Sequence, residues 1–301
     1  MSRALMVLIL FFASLANAKE GFNTDFTMLP HAVQKWQDRV FMVSIYGFPW
    51  ATAFLVHSEP GKLHFLTARH VAVKCSIKCT LTQSAVREGR HGETTGTRTL
   101  EVRARNVVVF EPKGDSWKDV GLEGTDMGYF TTESFPGAPE ASFEELVKLQ
   151  LPKLPEDEPV SQKHFILGYP HLTSRPSLDT EENQAYRLRW SEGDLILKNR
   201  ITGGGGFFRR QTETNKFRMM ADADSLGGNS GGPVVRADGT LLGILYGGPT
   251  GSNYKTSFHS YYIPIDYIRV FLKAIEMKHP AAFYTCSDPR EASKPHCQEG
   301  Q

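Results

Sequence analysis

The sequence predicts an all-β protein, a double β-barrel followed by a C-terminal helix, and three observations carry that expectation. Short runs rich in β-branched and aromatic residues recur between turn signals from Val40 onward. A proline-rich, acidic stretch at 133–160 divides those runs into two sets of similar length. At 266–278, Ile268, Phe271, Leu272 and Ile275 stand at helical spacing. A chain of 301 residues is long enough for a core in each half, with a ligand cleft between them.

Each element follows from its local texture. Residues 40–46 form a β-rich run ended by Gly47-Phe48-Pro49. Residues 51–57, the turn Ser58-Glu59-Pro60-Gly61 and residues 63–67 continue as a meander. Strands at 102–110 and 127–131 complete a first unit spanning 19–132. In the connector, Ser142 and Glu145 make a capping box, so a short helix is expected there. Strand texture resumes at 164–167, 186–190, 194–198, 217–220, 233–236 and 241–246, giving a second unit at 161–265. The helix follows, and 279–301 reads as a loose polar tail.

The first 18 residues read differently. One charge, Arg3, precedes an apolar run from Ala4 to Ala13 and the small-residue signature Ala16-Asn17-Ala18. This is the pattern of a cleaved secretory leader, and the apolar run is shorter than the ~20 residues of a spanning helix. The expected location is therefore the periplasm or the medium, with no membrane attachment after leader removal. Without Arg3 the basic residues equal the 33 acidic ones, which argues against a nucleic-acid partner. Four cysteines in an oxidising compartment suggest the local pairs Cys75/Cys79 and Cys286/Cys297, although three connectivities are open. Zinc is the weaker reading of those cysteines, because neither pair has a well-spaced partner pair.

Two motifs carry chemistry. In Asp224-Ser225-Leu226-Gly227-Gly228-Asn229-Ser230-Gly231-Gly232-Pro233, glycines flank one serine. They let the backbone turn tightly, expose the hydroxyl and aim nearby N–H groups one way, which suits acyl transfer. A serine hydroxyl needs a histidine base and a group to orient that base. The first unit offers Thr67-Ala68-Arg69-His70 after an apolar strand.

These two motifs resemble the histidine and serine motifs of the chymotrypsin/trypsin-fold serine peptidases, in that family's order and in separate β halves. In detail the chain is similar to bacterial members, the glutamyl-endopeptidase-like and Deg-type proteases, which often have Asn before the serine. Gly168-Tyr169-Pro170 and Tyr262-Ile263-Pro264 share that likeness. The resemblance implies two six-stranded antiparallel β-barrels with the active site between them. It also asks for an aspartate late in the first barrel. Asp126-Met127-Gly128-Tyr129-Phe130 and Asp119-Val120-Gly121-Leu122 compete, and Asp126 is preferred because it leads into the longer apolar strand.

The implied activity is that of an exported serine endopeptidase with Ser230 as nucleophile, His70 as base and Asp126 orienting the imidazole. Gly228 and Ser230 N–H groups would form the oxyanion hole, and no metal or organic cofactor is needed. Asp224, six residues before Ser230, stands where trypsin-like members select Arg or Lys. Ser225, Tyr246, Gly247 and Gly248 would line the same pocket. Leu245 stands where glutamyl endopeptidases place a histidine, so acidic specificity is not implied. The expected partner is a polypeptide substrate and the expected state a monomer, since no peptide-binding domain follows residue 278.

The chain also departs from the family. Val71 replaces the cysteine that follows the histidine in animal trypsins, and Arg69 puts a cation beside the base. Asn229 cannot make the ion pair with a new N-terminal amine that activates zymogens, so activation by that route is not expected. Two other readings compete: an inactive relative that binds peptides in the cleft, and an α/β-hydrolase esterase matching G-x-S-x-G. The second is discounted because the serine precedes a strand and the histidine precedes the serine. The run Gly203-Gly204-Gly205-Gly206 lacks the G-K-[ST] ending of a phosphate loop and reads as a surface loop near the cleft.

Overall fold

A computed structural model describes residues 22–75, 78–86, 94–103, 107–110, 126–142, 145, 163–171, 187–197, 219–221, 223, 225–247, 260–276 and 283–284. The leader, the connector beyond Ser142 apart from Glu145, the glycine run, Asp119, Asp224, Gly248, Cys286 and Cys297 lie outside these residues.

Strands β1 (Val40–Ile45), β2 (Phe48–Glu59) and β3 (Lys62–Ala68) show why the first unit reads as nearly continuous apolar sequence. Successive side chains of a strand point to opposite faces. Val40 and Met42 of β1, Phe54 and Val56 of β2 and Leu66 of β3 join one core. Phe41, Val43, Ile45, Ala51, Ala53, Leu55, Leu63 and Phe65 join another. These three strands are thus buried on both faces. The first of these cores continues into the second unit through Phe165, Leu167, Tyr169, Val235, Leu241 and Ile244.

The remaining strands of this sheet are β4 (Cys79–Val86), β5 (Thr94–Val102), β6 (Val107–Phe110), β7 (Met127–Glu133) and, from the tail, β14 (Phe283–Tyr284). They pair in the order β14-β6-β7-β3-β2-β1-β4-β5. In the second unit β8 (Lys163–Gly168), β9 (Arg189–Leu197), β10 (Met219–Ala221), β11 (Pro233–Arg236), β12 (Leu241–Gly247) and β13 (Ser260–Pro264) pair in the cyclic order β10-β13-β12-β11-β8-β9.

Two six-stranded barrels are therefore not the architecture. The first unit is an eight-stranded sheet with two edges, because the tail strand β14 pairs with β6 where a closing strand would have to sit. The expected strand at 102–110 is two pieces, β5 ending at Val102 and β6 starting at Val107. The expected strands at 186–190 and 194–198 are replaced by one strand, β9, which runs through Gly193.

Among the described residues, a single turn α1 (His31–Gln34) and helices α2 (Arg69–Cys75) and α3 (Ile265–Glu276) join the sheets. Ile265, Ile268, Phe271 and Leu272 of α3 enter the shared core. The segment before β1 ties the units together. Trp36 Nε1–H donates to the Gly239 carbonyl at 2.9 Å, Trp190 Nε1–H donates to Asp25 O at 3.1 Å, and Asn23 forms a β-bridge with Trp190. Cys75, the last residue of α2, is disulfide-bonded to Cys79, the first of β4, as the spacing suggested.

His164 of β8 is buried to 3% exposure, edge-on to Tyr262, and its Nδ1 has no partner among the described residues. Burial lowers its pKa to about 4, with Asp194 opposing and Arg236 adding to that shift. The unfolded chain takes up the proton at the ordinary imidazole value near 6.5, before the folded one does. Stability is therefore full above about pH 6.5 and falls by about 3 kcal/mol down to about pH 4. Denaturant unfolding of wild type and His164→Phe at pH 7 and pH 4 checks this. The wild type should lose about 3 kcal/mol more than the variant between the two pH values.

Candidate active site

β3 delivers the histidine. The strand ends at Ala68, and the chain turns at once into α2, whose second residue is His70. Val71, Ala72 and Cys75 bury one side of this short helix against the core, and the His70 side chain is 46% exposed. Asp126 stands just before β7, which pairs with β3 along its whole length and ends with Ala68 opposite Met127. That register sets the two residues side by side.

Asp126 then holds His70 twice. One carboxylate oxygen accepts from the His70 backbone N–H at 3.0 Å, and the other lies 2.7 Å from the imidazole Nδ1. The Asp126 carbonyl accepts from Arg69 N–H at 3.0 Å, so the first turn of α2 is fixed to the β7 end. With the Asp126 side chain 11% exposed, the carboxylate fixes the tautomer in which Nδ1 carries the proton and Nε2 is free to accept one. The other side of the imidazole meets Tyr246, edge-on at 6.0 Å between ring centroids.

The serine comes from the tight turn before β11. Gly228 and Gly231 have positive φ, at 95° and 86°, conformations that side chains with a Cβ rarely adopt. Asn229 N–H donates to Leu226 O, Gly232 N–H to Asn229 O and Gly231 N–H to Leu245 O, closing the turn against β12. Among the described residues, the N–H groups of Gly228 and Ser230 have no hydrogen-bond acceptor. Ser230 Oγ donates to the Tyr246 carbonyl at 3.1 Å.

A threonine that the sequence reading did not single out joins this turn to the first unit. Thr52 of β2 is completely buried. Its N–H donates to Ser230 O at 3.0 Å and its hydroxyl to Gly228 O at 2.7 Å. That hydroxyl also accepts from Tyr169 N–H, and the Thr52 carbonyl accepts from the Thr67 hydroxyl. Nothing in Ala51-Thr52-Ala53 distinguishes this residue from any strand threonine. His171 is a second residue missed: its N–H donates to Gly227 O at 2.6 Å, and its ring lies against Gly228. Its position directly after Gly168-Tyr169-Pro170 was the available signal. Burial holds the His171 imidazole below the usual histidine range, with a backbone hydrogen bond to Pro49 opposing the shift.

Of the other expected site residues, Ser225 is buried at 3% exposure and its hydroxyl has no partner among the described residues. Tyr246 and Gly247 end β12, and a Cβ built on Gly247 would lie 4.0 Å from Ser230 Oγ. The structure thus pairs His70 with Asp126 and sets Tyr246 against both the His70 ring and the Ser230 hydroxyl, with Gly247 beside that hydroxyl. Asn229, in place of the zymogen aspartate, is buried at 2% exposure with its side-chain oxygen unpartnered among the described residues.

Two β units thus carry an aspartate-held histidine and a glycine-flanked serine. The chain belongs to the trypsin-like peptidase domain family, whose model matches residues 51–244. It is 39% identical over 103 residues to the mitochondrial serine protease HTRA2 of Drosophila ananassae, covering 32% of this chain and 23% of that relative's length. Among solved structures it is similar to the HtrA-type protease AlgW with a decapeptide, at TM-score 0.51 and 16% identity, covering 82% of this chain and 67% of that one. A variant of AlgW with a tripeptide matches at TM-score 0.50 and 17% identity, over 83% and 64% of the two chains. At such identity the likeness is one of fold.

Proposed function

We propose that the chain is an exported serine endopeptidase that cleaves peptide bonds through an acyl-enzyme. The observation that carries this reading is the doubly held His70, with Asp126 Oδ2 2.7 Å from Nδ1 and the ring against Tyr246, whose carbonyl accepts from Ser230 Oγ. In the proposed reaction the Ser230 hydroxyl leaves the Tyr246 carbonyl by rotating about χ1 and passes its proton to His70 Nε2. Its oxygen then attacks the scissile carbonyl. Asp126 stabilises the imidazolium that results. The N–H groups of Gly228 and Ser230 receive the developing oxyanion, where each donor typically contributes about 3–4 kcal/mol. His70 returns the proton to the leaving amine, and water reverses the sequence on the acyl-enzyme.

For the primary pocket we assign Arg or Lys selection to Asp224, supported by its place six residues before Ser230. Ser225, Tyr246, Gly247 and Gly248 complete that pocket on this reading. The resting bond from Ser230 Oγ to Tyr246 O is the observation on the side of a second reading, an inactive relative that binds peptides in the same cleft.

Covalent labelling by a fluorophosphonate probe separates the two. Wild type should label, and Ser230→Ala and His70→Ala should not. A peptide panel with Arg, Lys, Glu or Phe at the cleaved position should then show preference for Arg and Lys, lost in Asp224→Ser. A folded wild type that fails to label sinks the peptidase reading and leaves the peptide binder.

A further inference from the structure

A second cluster of chemistry-bearing side chains lies at the other end of β3. His57 and Glu59 are two residues apart on β2 and project from one face of the strand, and the register pairs His57 with His64 of β3. The two imidazole rings are 5.0 Å apart. His64 Nε2 lies 2.9 Å from Glu59 Oε1, and one ligand-type atom from each of the three residues falls within 4.8 Å of the others. Two donors on one zinc ion at bonds of about 2.0–2.2 Å sit roughly 3–4 Å apart, so small side-chain rotations bring all three onto a single ion.

The surroundings of His64 fit a ligand. Its side chain is buried, and Nδ1 lies 2.5 Å from the Tyr129 hydroxyl. A metal-bound imidazole usually has its second nitrogen fixed by a hydrogen bond, and Tyr129 stands at that place. Lys62 lies 3.3 Å from Glu59 and is half-exposed, so its ammonium can move into water when the carboxylate turns to a cation. Glu59 also lines a groove of about 610 Å³ with Lys62, Glu101 and Arg103, which opens its carboxylate to solvent.

We propose that His57, Glu59 and His64 form a binding site for a divalent transition-metal ion, zinc by its fit to two imidazoles and one carboxylate. On binding, His64 Nε2 gives its lone pair to the ion, and the ring proton resides on Nδ1 and donates to Tyr129. The proton changes nitrogen, and the ring stays neutral. The site is separate from the His70 cluster, about 13 Å away along β3 at ~3.3 Å per residue from His64 to Ala68.

Calorimetric titration of the full chain with zinc chloride tests this against His57→Ala and Glu59→Gln. Both positions are partly exposed, and the glutamine keeps a partner for His64, so these variants should unfold at the wild-type temperature without metal. Wild type should bind one more zinc equivalent than either variant. Tyr129→Phe should keep the stoichiometry and weaken zinc by about 10–100-fold. Equal stoichiometry and affinity in wild type and both variants overturns the site. Magnesium chloride binding as tightly as zinc overturns the assignment to a transition metal.

Discussion

On the proposed function, Asp126→Asn is expected to lower kcat by about ten-thousand-fold while leaving KM within a few-fold of wild type. The substitution keeps the volume and the side-chain oxygen that accepts from His70 N–H, so α2 stays fixed to the β7 end. What changes is the second bond. The carboxylate 2.7 Å from Nδ1 becomes an amide whose N–H donates to that nitrogen and forces the ring proton onto Nε2. An imidazole so protonated cannot take the serine proton, and no anion remains to stabilise an imidazolium. The interaction lost is one made in the transition state, which is why the effect falls on kcat. Steady-state kinetics with a thermal-unfolding check decides the matter. A variant of unchanged melting temperature with kcat within tenfold of wild type would remove Asp126 from the mechanism.

Gly231→Ala should cost about 3 kcal/mol of stability or prevent folding. The backbone there has φ 86°, and a Cβ would overlap the Thr67 hydroxyl and the Thr52 carbonyl and lie 2.8 Å from Ala68 N. Two of those atoms, Thr52 O and Ala68 N, are backbone of the paired strands β2 and β3 and cannot move aside. Conformational strain of about 1 kcal/mol adds to overpacking of about 1–3 kcal/mol. Gly61→Ala is the matched control: φ is 80°, and nothing lies within 4 Å of the added carbon. It should lose only the conformational part, about 1 kcal/mol. Equal destabilisation of the two variants in urea would show that the close approach at Gly231 contributes nothing.

What the sequence made legible follows from what packing demands of particular residues. The serine turn stood out because two of its glycines take positive φ and closely approach the backbone of Thr52 and Tyr169, and no other residue type meets both demands. Asp126 was preferred over Asp119 for the longer apolar strand that follows it, and that strand is β7, the partner of β3; Asp119 lies outside the described residues. Helix α2 was invisible: Val71 and Val73 favour a strand, and the turn is held by Asp126 and the Cys75–Cys79 disulfide. Strands β4 and β5 were missed for a related reason. Thr80, Thr82, Gln83 and Thr99 dilute the alternation that marks a half-buried strand. The double-barrel expectation failed at Phe283–Tyr284, where two residues in a polar tail gave no sign that they would pair with β6.

The hydrogen bonds of Thr52 carry one more consequence, concerning when the nucleophile comes into being. The shape of the Ser230 turn depends on a residue some 180 positions earlier in the chain, in the other sheet. Before the two sheets dock, Gly228 O and Ser230 O lack the Thr52 partner, and His70 and Ser230 are carried by separate sheets. On the proposed function, a chain still being synthesised or exported carries both groups of the reaction without a working pair. Docking of the two sheets is, on that reading, the step that switches the reaction on within each molecule.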